Sequence, residues 1–547
     1  MKKLILGLTL GSTGIIAVCS PLSAQPARPI PVVLSQIAQQ TSDEDLPRLF
    51  PSSPRSPEAP SEADRIVELN LPDLISIVVR GNRDLQNSLL ERVVQRQTLE
   101  EQESVFDPQL TPRASIRADR TFSDSGIISE VIGPDGELET FDRRGDSTRF
   151  SERLELFSTL RTPLGTELEL SVAPLTDASR VDLNISQPLL RGAGQAVNRA
   201  PVRQARITES NNVLALRQEV IDTITTSILQ YTTLVQRQEA VDIQAQALER
   251  RRQQFEIVSA LVEAGRQARV ELVNSERSIA EAELALQDAQ NQLSQANTDL
   301  LNLTGSEVAY QFIAPEDAID LLFETAVRRA ASFDLDALIQ TAYTIRPDYQ
   351  QAQAQLKIED LNLLQARDNR RWSLDWESTA RLDDDFSQAA TGLRLERTFG
   401  DESLNTAIAR SQTNILQQQN AIAQLEETIR NQVGDRLRDV NSGFAQVEAA
   451  QRATEAARLQ LQVTQEKFAL GRDGTTLFDI TQQEENLVVA QNAELQSRIS
   501  VLNSIAEIDR VTGTTIDSWR SLANLAPVLE EEQLSEEQPS EEQPSEE

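Results

Sequence analysis

The chain has 547 residues, a formal net charge of −33, no histidine and a single cysteine, Cys19. That charge disfavours a nucleic-acid partner, because phosphate binding needs a basic face. With no histidine and one thiol, two common metal ligands are absent or spent, most His- or Cys-based catalytic schemes are excluded, and no disulfide can form within the chain.

Met1-Lys2-Lys3, the apolar run Leu4 to Val18 and the small residues of Pro21-Leu22-Ser23-Ala24 predict an export signal over 1–24. Cys19 leaves a lipid anchor open, although Val18 fits poorly before a lipidated cysteine. Residues 25–64 are rich in Pro, Ser and Gln and read as a flexible linker. Beyond the signal no apolar run approaches the roughly 20 residues of a spanning helix, so any membrane segment must be built of β-strands.

A helical pattern follows from about Leu71 to Val105 and ends at Phe106-Asp107-Pro108. Over 109–189 the period changes to two: Leu168, Leu170 and Val172, then Val181, Leu183 and Ile185, alternate with polar residues, which predicts strands with one apolar face. Strand-like segments lie near 113–122, 149–160, 163–173 and 180–188, and the glycine-rich stretch Ser123 to Ser147 reads as a long loop. Leu214, Ile221, Ile228 and Val235 then recur every seven residues, in a helix predicted from about Ala196 to Ala264 and followed by Gly265. A returning helix reaches Thr304-Gly305.

Residues 306–334, with Pro315, join this half to a second copy of the plan. There a helix is expected over about Leu335 to Arg370, and strands at Ser373 to Leu382 and Ala389 to Phe399. Ile408, Ile415, Ile422 and Ile429 keep the seven-residue spacing, and Gly471 precedes a returning helix to Thr512-Gly513. The recurrence of Gly265-Arg266 with Thr304-Gly305 as Gly471-Arg472 with Thr512-Gly513 makes the chain two related halves, 65–305 and 335–526. The acidic Ser-Glu-Glu-Gln-Pro tail, 527–547, reads as solvated and disordered.

This exported two-fold repeat resembles the TolC family, the outer membrane factors of tripartite efflux pumps and type I secretion systems. Asn184 to Gly192 is similar to the family's strand-to-helix turn, and Glu466 to Arg472 with Leu477 to Ile480 is similar to its periplasmic helix-to-helix turn. The resemblance implies a mostly α protomer of a homotrimer, with four strands per chain in one outer-membrane β-barrel and long helices coiled into an α-barrel across the periplasm. It also implies a passive exit duct, served by a periplasmic adaptor (a membrane fusion protein) and an inner-membrane transporter, with outer membrane lipid around the barrel. No cofactor, metal or enzymatic role is expected. The surplus first-half strands are expected to extend the barrel strands or decorate an extracellular loop. The second half lacks proline where the first has Pro108 and Pro188 at its strand-helix junctions, beside Gly192, so its junctions are expected to be less sharply defined.

By the same resemblance, acidic residues after the turn glycines line the closed periplasmic aperture. Glu271 and Asp479 are paired by the repeat and are expected to form a carboxylate ring, with mutual repulsion raising some of their pKa values. Arg266 and Arg472 are expected to bridge it shut, and the longer second turn, with Gly471, Arg472, Asp473 and Gly474, is the candidate moving part. The plainer reading makes these charges ordinary helix-start residues, where acids favour the N-terminal dipole. Trp372, Trp376 and Phe399 suit either an interfacial girdle or packing between barrel and helices. Asp383-Asp384-Asp385 lacks the spacing and glycine of a calcium loop and reads as a solvated turn. A periplasmic coiled-coil adaptor or structural protein is the competing reading; it accounts for heptads and export but not for alternating strands between helices.

Overall fold

The computed structural model describes residues 66–122, 128–132, 138–142, 146–173, 180–306, 310–383, 387–470 and 474–520. The predicted signal, Cys19, the linker, the acidic tail, Asp384, Asp385 and the turn residues Gly471, Arg472 and Asp473 lie outside them.

The chain opens with strand β1 (Ile66–Glu68) and helix α1 (Leu71–Gly81). Pro72 sits in the first turn of α1, where its missing N–H costs nothing, and Leu71, Leu74, Ile75, Val78 and Val79 form one buried face. The predicted single helix to Val105 is in fact broken at Asn82, whose side chain accepts from the N–H of Leu85 and starts α2 (Arg83–Glu103). The equivalent break in the second half falls at Arg346, between α7 (Leu335–Ile345) and α8 (Pro347–Asn369).

Between α2 and the next helices lie β2 (Gln109–Phe122), β3 (Ile128–Ile132), β4 (Leu138–Asp142), β5 (Asp146–Arg161), β6 (Glu167–Ala173) and β7 (Arg180–Pro188). The stretch read as a long loop thus contains a separate hairpin, β3 with β4. Turn residues dominated the signal there, while the strands flanking Gly133-Pro134-Asp135-Gly136 are only five residues each. The short α3 (Gln195–Asn198) leads into α4 (Ala200–Glu263), and α5 (Val270–Thr304) returns alongside it.

The segment between the halves carries β8 (Gln311–Ile313), which pairs in parallel with β1, and α6 (Ala318–Ala330). The second half continues through β9 (Ser373–Asp383), β10 (Ser387–Glu396), α9 (Glu402–Ala469), α10 (Leu477–Thr512) and α11 (Thr515–Trp519).

At 64 and 68 residues, α4 and α9 are each about 100 Å long at 1.5 Å per residue. Their returning partners are about half that length, at 35 and 36 residues. The remaining halves of α4 and α9 are covered by α2 and α8. The seven-residue stripe faces inward: Ile221, Ile228, Val235 and Ile429 are buried. Among the described residues no helix is long and apolar enough to cross a membrane.

Six strands form one sheet in the order β10-β9-β7-β6-β5-β2, each antiparallel to its neighbour. The register puts apolar residues opposite apolar residues on one face. Leu393 faces Trp376, Leu382 faces Val181, Leu183 faces Leu170, Ile185 faces Leu168, and Leu154 faces Ala114. The other face carries Glu155, Glu169, Asn184, Asp182, Arg381 and Arg394. The family resemblance implied four strands per chain; this sheet holds six.

Candidate functional site

The recurring Thr-Gly pairs sit at the helix breaks, not at the tip. Gly305 ends α5 in the left-handed region (φ 66°), and a Cβ there would lie 2.3 Å from the carbonyl oxygen of Gly81. Asn82 Nδ2 donates to the Leu303 carbonyl at 3.1 Å. In the second half Gly513 lies against the Arg346 backbone, and Arg346 Nη1 donates to the Val511 carbonyl at 2.9 Å. Each pair therefore closes a helix end and lets the kinked helix approach, and the kink residue satisfies a terminal carbonyl.

The glycines Gly265 and Gly474 mark the other end. Gly265 (φ 68°) follows α4 in a Schellman arrangement: its N–H donates to Val262 and that of Arg266 to Leu261. Arg266 is exposed and makes no ion pair among the described residues. Glu271 lies in the first turn of α5, half-buried, 3.4 Å from Asn274 Nδ2. Gly474 (φ 63°) precedes Thr476, which caps α10.

Asp479 completes that cap reciprocally. Its carboxylate accepts from the Thr476 N–H and hydroxyl, each at 2.8 Å, while its own N–H donates to the Thr476 hydroxyl oxygen. The hydrogen bond from the Thr476 backbone, then that from its side chain, holds the Asp479 carboxyl below the usual range. Within one chain this is opposite in direction to the rise expected from clustered carboxylates. Both turns are brought to one end by an apolar cluster in which Val258, Leu261 and Val262 of α4 meet Leu461 and Phe468 of α9 and Leu477 and Ile480 of α10.

One level above that cluster is a charged constellation that the sequence did not single out. Arg251 of α4 reaches Glu484 and Glu485 of α10, both at 3.8 Å, and donates to Ser278 Oγ of α5 at 2.5 Å. Arg251 and Glu484 side chains are only 11% and 4% exposed. Burial pushes the Glu484 carboxyl up, with Arg251 and then Arg250 pulling against it. Burial also lowers the Arg250 guanidinium. The visible signal was Arg250-Arg251-Arg252 and Glu484-Glu485, which look like solvated helix charges until the hairpins are set in register.

At the opposite end, the strand-helix junctions are ordered by backbone bonds. Pro108 stands between the Ser104–Phe106 turn and β2. Pro188 ends β7, but pairing to β9 continues past it, with Leu189 N–H donating to Leu374 and Arg191 N–H to Trp372. Gly192 N–H donates to the buried Asp368 carboxylate of α8 at 2.7 Å. The second-half junction, expected to be loose without proline, turns at Gly400 and is capped by Asp401, which accepts from Ser403 N–H at 2.9 Å. Trp372 packs edge-on against Phe399, with Arg397 over both rings.

Residues 169–306 match the family described as outer membrane efflux protein. No curated protein sequence matches significantly. Solved structures with a similar fold include the CmeC outer membrane channel of Campylobacter jejuni, with TM-score 0.57 and 14% identity over 83% of this chain and 89% of that one. The outer membrane protein VceC of Vibrio cholerae gives 0.58 and 13% over 81% and 96%. The MtrE outer membrane channel of Neisseria gonorrhoeae, in its open state, gives 0.58 and 14% over 84% and 97%. The matched segment spans β6, β7, α4 and α5, the strands and long helices of the first half, and the chain as a whole shares the fold of these outer membrane channels.

Proposed function

We propose that this chain is one protomer of a homotrimeric outer membrane channel, the exit duct of a tripartite efflux pump or type I secretion system. The carrying observation is a sheet with a solvent-exposed apolar face, including Ile116, Leu393 and Leu395, set at one end of helices about 100 Å long. Lipid accounts for that face, and a closed barrel satisfies every strand in lipid. The Trp372–Phe399 pair at the helix side of the sheet fits an interfacial girdle. The helices then extend into the periplasm, where an adaptor and an inner-membrane transporter deliver the substrate. The duct is a conduit without cofactor or catalytic step. A soluble adaptor has no use for the exposed sheet face. Cell fractionation tests the reading: a heat-modifiable trimer is expected in outer membranes, and recovery as a soluble periplasmic protein rejects it.

The aperture belongs to the same proposal. Glu271 and Asp479 begin the two helices that leave the turns, and three copies of each would ring the periplasmic mouth with carboxylates, favouring cations. In the sequence Arg266 precedes Glu271, and Arg472 and Asp473 precede Asp479. The reciprocal Thr476–Asp479 cap supports the ring, because it fixes the Asp479 carboxylate at the start of α10. In planar bilayers the double variant Glu271→Ala, Asp479→Ala is expected to lose cation selectivity; unchanged selectivity removes both residues from the aperture.

A further inference from the structure

The six-stranded sheet carries more than the four strands of a TolC-like protomer, and its geometry says where the surplus goes. The sheet is antiparallel throughout and its strands lie in chain order, with the β3–β4 hairpin intervening between β2 and β5 and helices between β7 and β9. Its edge strands, β2 and β10, run in opposite directions, since β2 leaves α2 and β10 returns to α9. Neither outer edge has a partner strand within the described sheet.

The β5–β6 turn lies at the helix side of the sheet, not at its far end. Thr162 N–H donates to Thr166 at 2.8 Å, and Gly194 N–H, just before α3, donates to Leu164 at 3.1 Å. Arg161 Nη2 donates to Asn198 Oδ1 at 3.2 Å. A Cβ on Gly165 would lie 2.6 Å from the Gly192 carbonyl oxygen, so the turn is seated directly on the strand-helix junction.

All six strands consequently start from one level. Gln109 lies opposite Thr159, Glu167 opposite both Arg161 and Ser186, Gln187 opposite Trp376, and Ser373 opposite Glu396. From that level the apolar face runs without a gap through Ala114, Leu156, Leu170, Leu183, Trp376 and Leu393, one from each strand. A hairpin that merely decorated the lumen or the outer surface would break that face or reverse its sides.

We propose that all six strands of each chain enter the barrel wall, so that β10 of one copy pairs with β2 of a second copy. Three copies then close an eighteen-stranded barrel in place of a twelve-stranded one. The even strand count keeps the seam antiparallel and leaves no edge in lipid. Barrel diameter grows roughly linearly with strand number, so the exit is about half again as wide as a twelve-stranded one. It is lined by the polar face of the sheet, and the narrowest point of the duct falls at the helical tip. The inference rests on the outer-membrane trimer reading above.

The test uses the full chain reconstituted into phosphatidylcholine vesicles with brominated or ordinary acyl chains. Single cysteines in a Cys19→Ser background, Ala114→Cys in β2, Leu170→Cys in β6, Leu183→Cys in β7 and Leu393→Cys in β10, are labelled with bimane, with Glu169→Cys as the lumen-side control. Loss of fluorescence in brominated lipid at all four, but not at Glu169→Cys, is the expected result. Loss at Leu183→Cys and Leu393→Cys without loss at Ala114→Cys and Leu170→Cys overturns the eighteen-stranded wall and leaves the channel reading standing. No loss at any position overturns the channel reading as well. As a second measurement, Ala114→Cys combined with a cysteine scan of 387–396 is expected to give disulfide-linked multimers. An Ala114→Cys to Leu183→Cys bond within one chain would put β2 against β7, with β5 and β6 outside the wall, and would overturn the proposal independently.

Discussion

Two glycines with almost the same backbone angle do different work. Gly265 and Gly305 both sit in the left-handed region, at φ 68° and 66°. Around Gly265 a Cβ would meet nothing within 4 Å, so alanine there costs only the backbone strain, about 1–2 kcal/mol. At Gly305 the same strain is joined by a contact with the Gly81 carbonyl oxygen, a backbone atom that cannot rotate away. Gly305→Ala is therefore expected to lower the melting temperature of the purified protein clearly more than Gly265→Ala. Equal shifts would mean that the kink at Asn82 yields easily. The repeat that makes the two halves recognisable thus encodes two unrelated needs, a helix reversal at the tip and a close helix crossing near the break.

At the scale of elements, the joint between sheet and helices depends on few groups. Asp368 at the end of α8 is buried, accepts from Gly192 N–H, and pairs with Arg371 at 3.3 Å. Asp368→Ala leaves that N–H and its surroundings unsatisfied, which costs about 1–3 kcal/mol. Faster hydrogen exchange at residues 189–194 is expected, with the tip unaffected; unchanged exchange at the junction would show that the Leu189 and Arg191 bonds to β9 suffice. The long helices were legible in the sequence because a seven-residue stripe sustained over tens of residues marks helices packed against partners along their length. The break at Asn82 was not, since its cause is a side-chain cap together with a neighbouring helix end. Strand faces were legible from alternation. Membership of one sheet was not, because antiparallel pairing depends on contacts distant in sequence. At the tip, the turn glycines could be read directly, whereas the partners of Arg251 depend on how two separate hairpins lie side by side.

For the whole molecule, the consequence is that one side chain ties the two halves together just above their turns. Arg251 joins α4 to α5 through Ser278 and to α10 through Glu484 and Glu485. On the proposed channel reading, opening the duct by separating its hairpins at the tip would break these contacts. Removing one partner of a buried ionic cluster leaves the other uncompensated, so Arg251→Ala should weaken this end by about 3 kcal/mol. In hydrogen exchange that is a fall of about 100-fold in the protection of the first turns of α10. The loss also has a pH signature. The Glu484 carboxyl is already raised by burial, and without Arg251 it rises further. A raised carboxyl favours the folded state while protonated and loses that advantage as pH rises through its folded pKa. The variant and the parent should therefore converge in acid, where Glu484 is neutral in both, and separate as pH climbs above the usual carboxylate range. A gap that stays constant across pH would assign the role of Arg251 to its bond with Ser278 alone. With the gap confined to neutral pH and a higher resting conductance in the same variant, the cluster would hold the duct closed by charge.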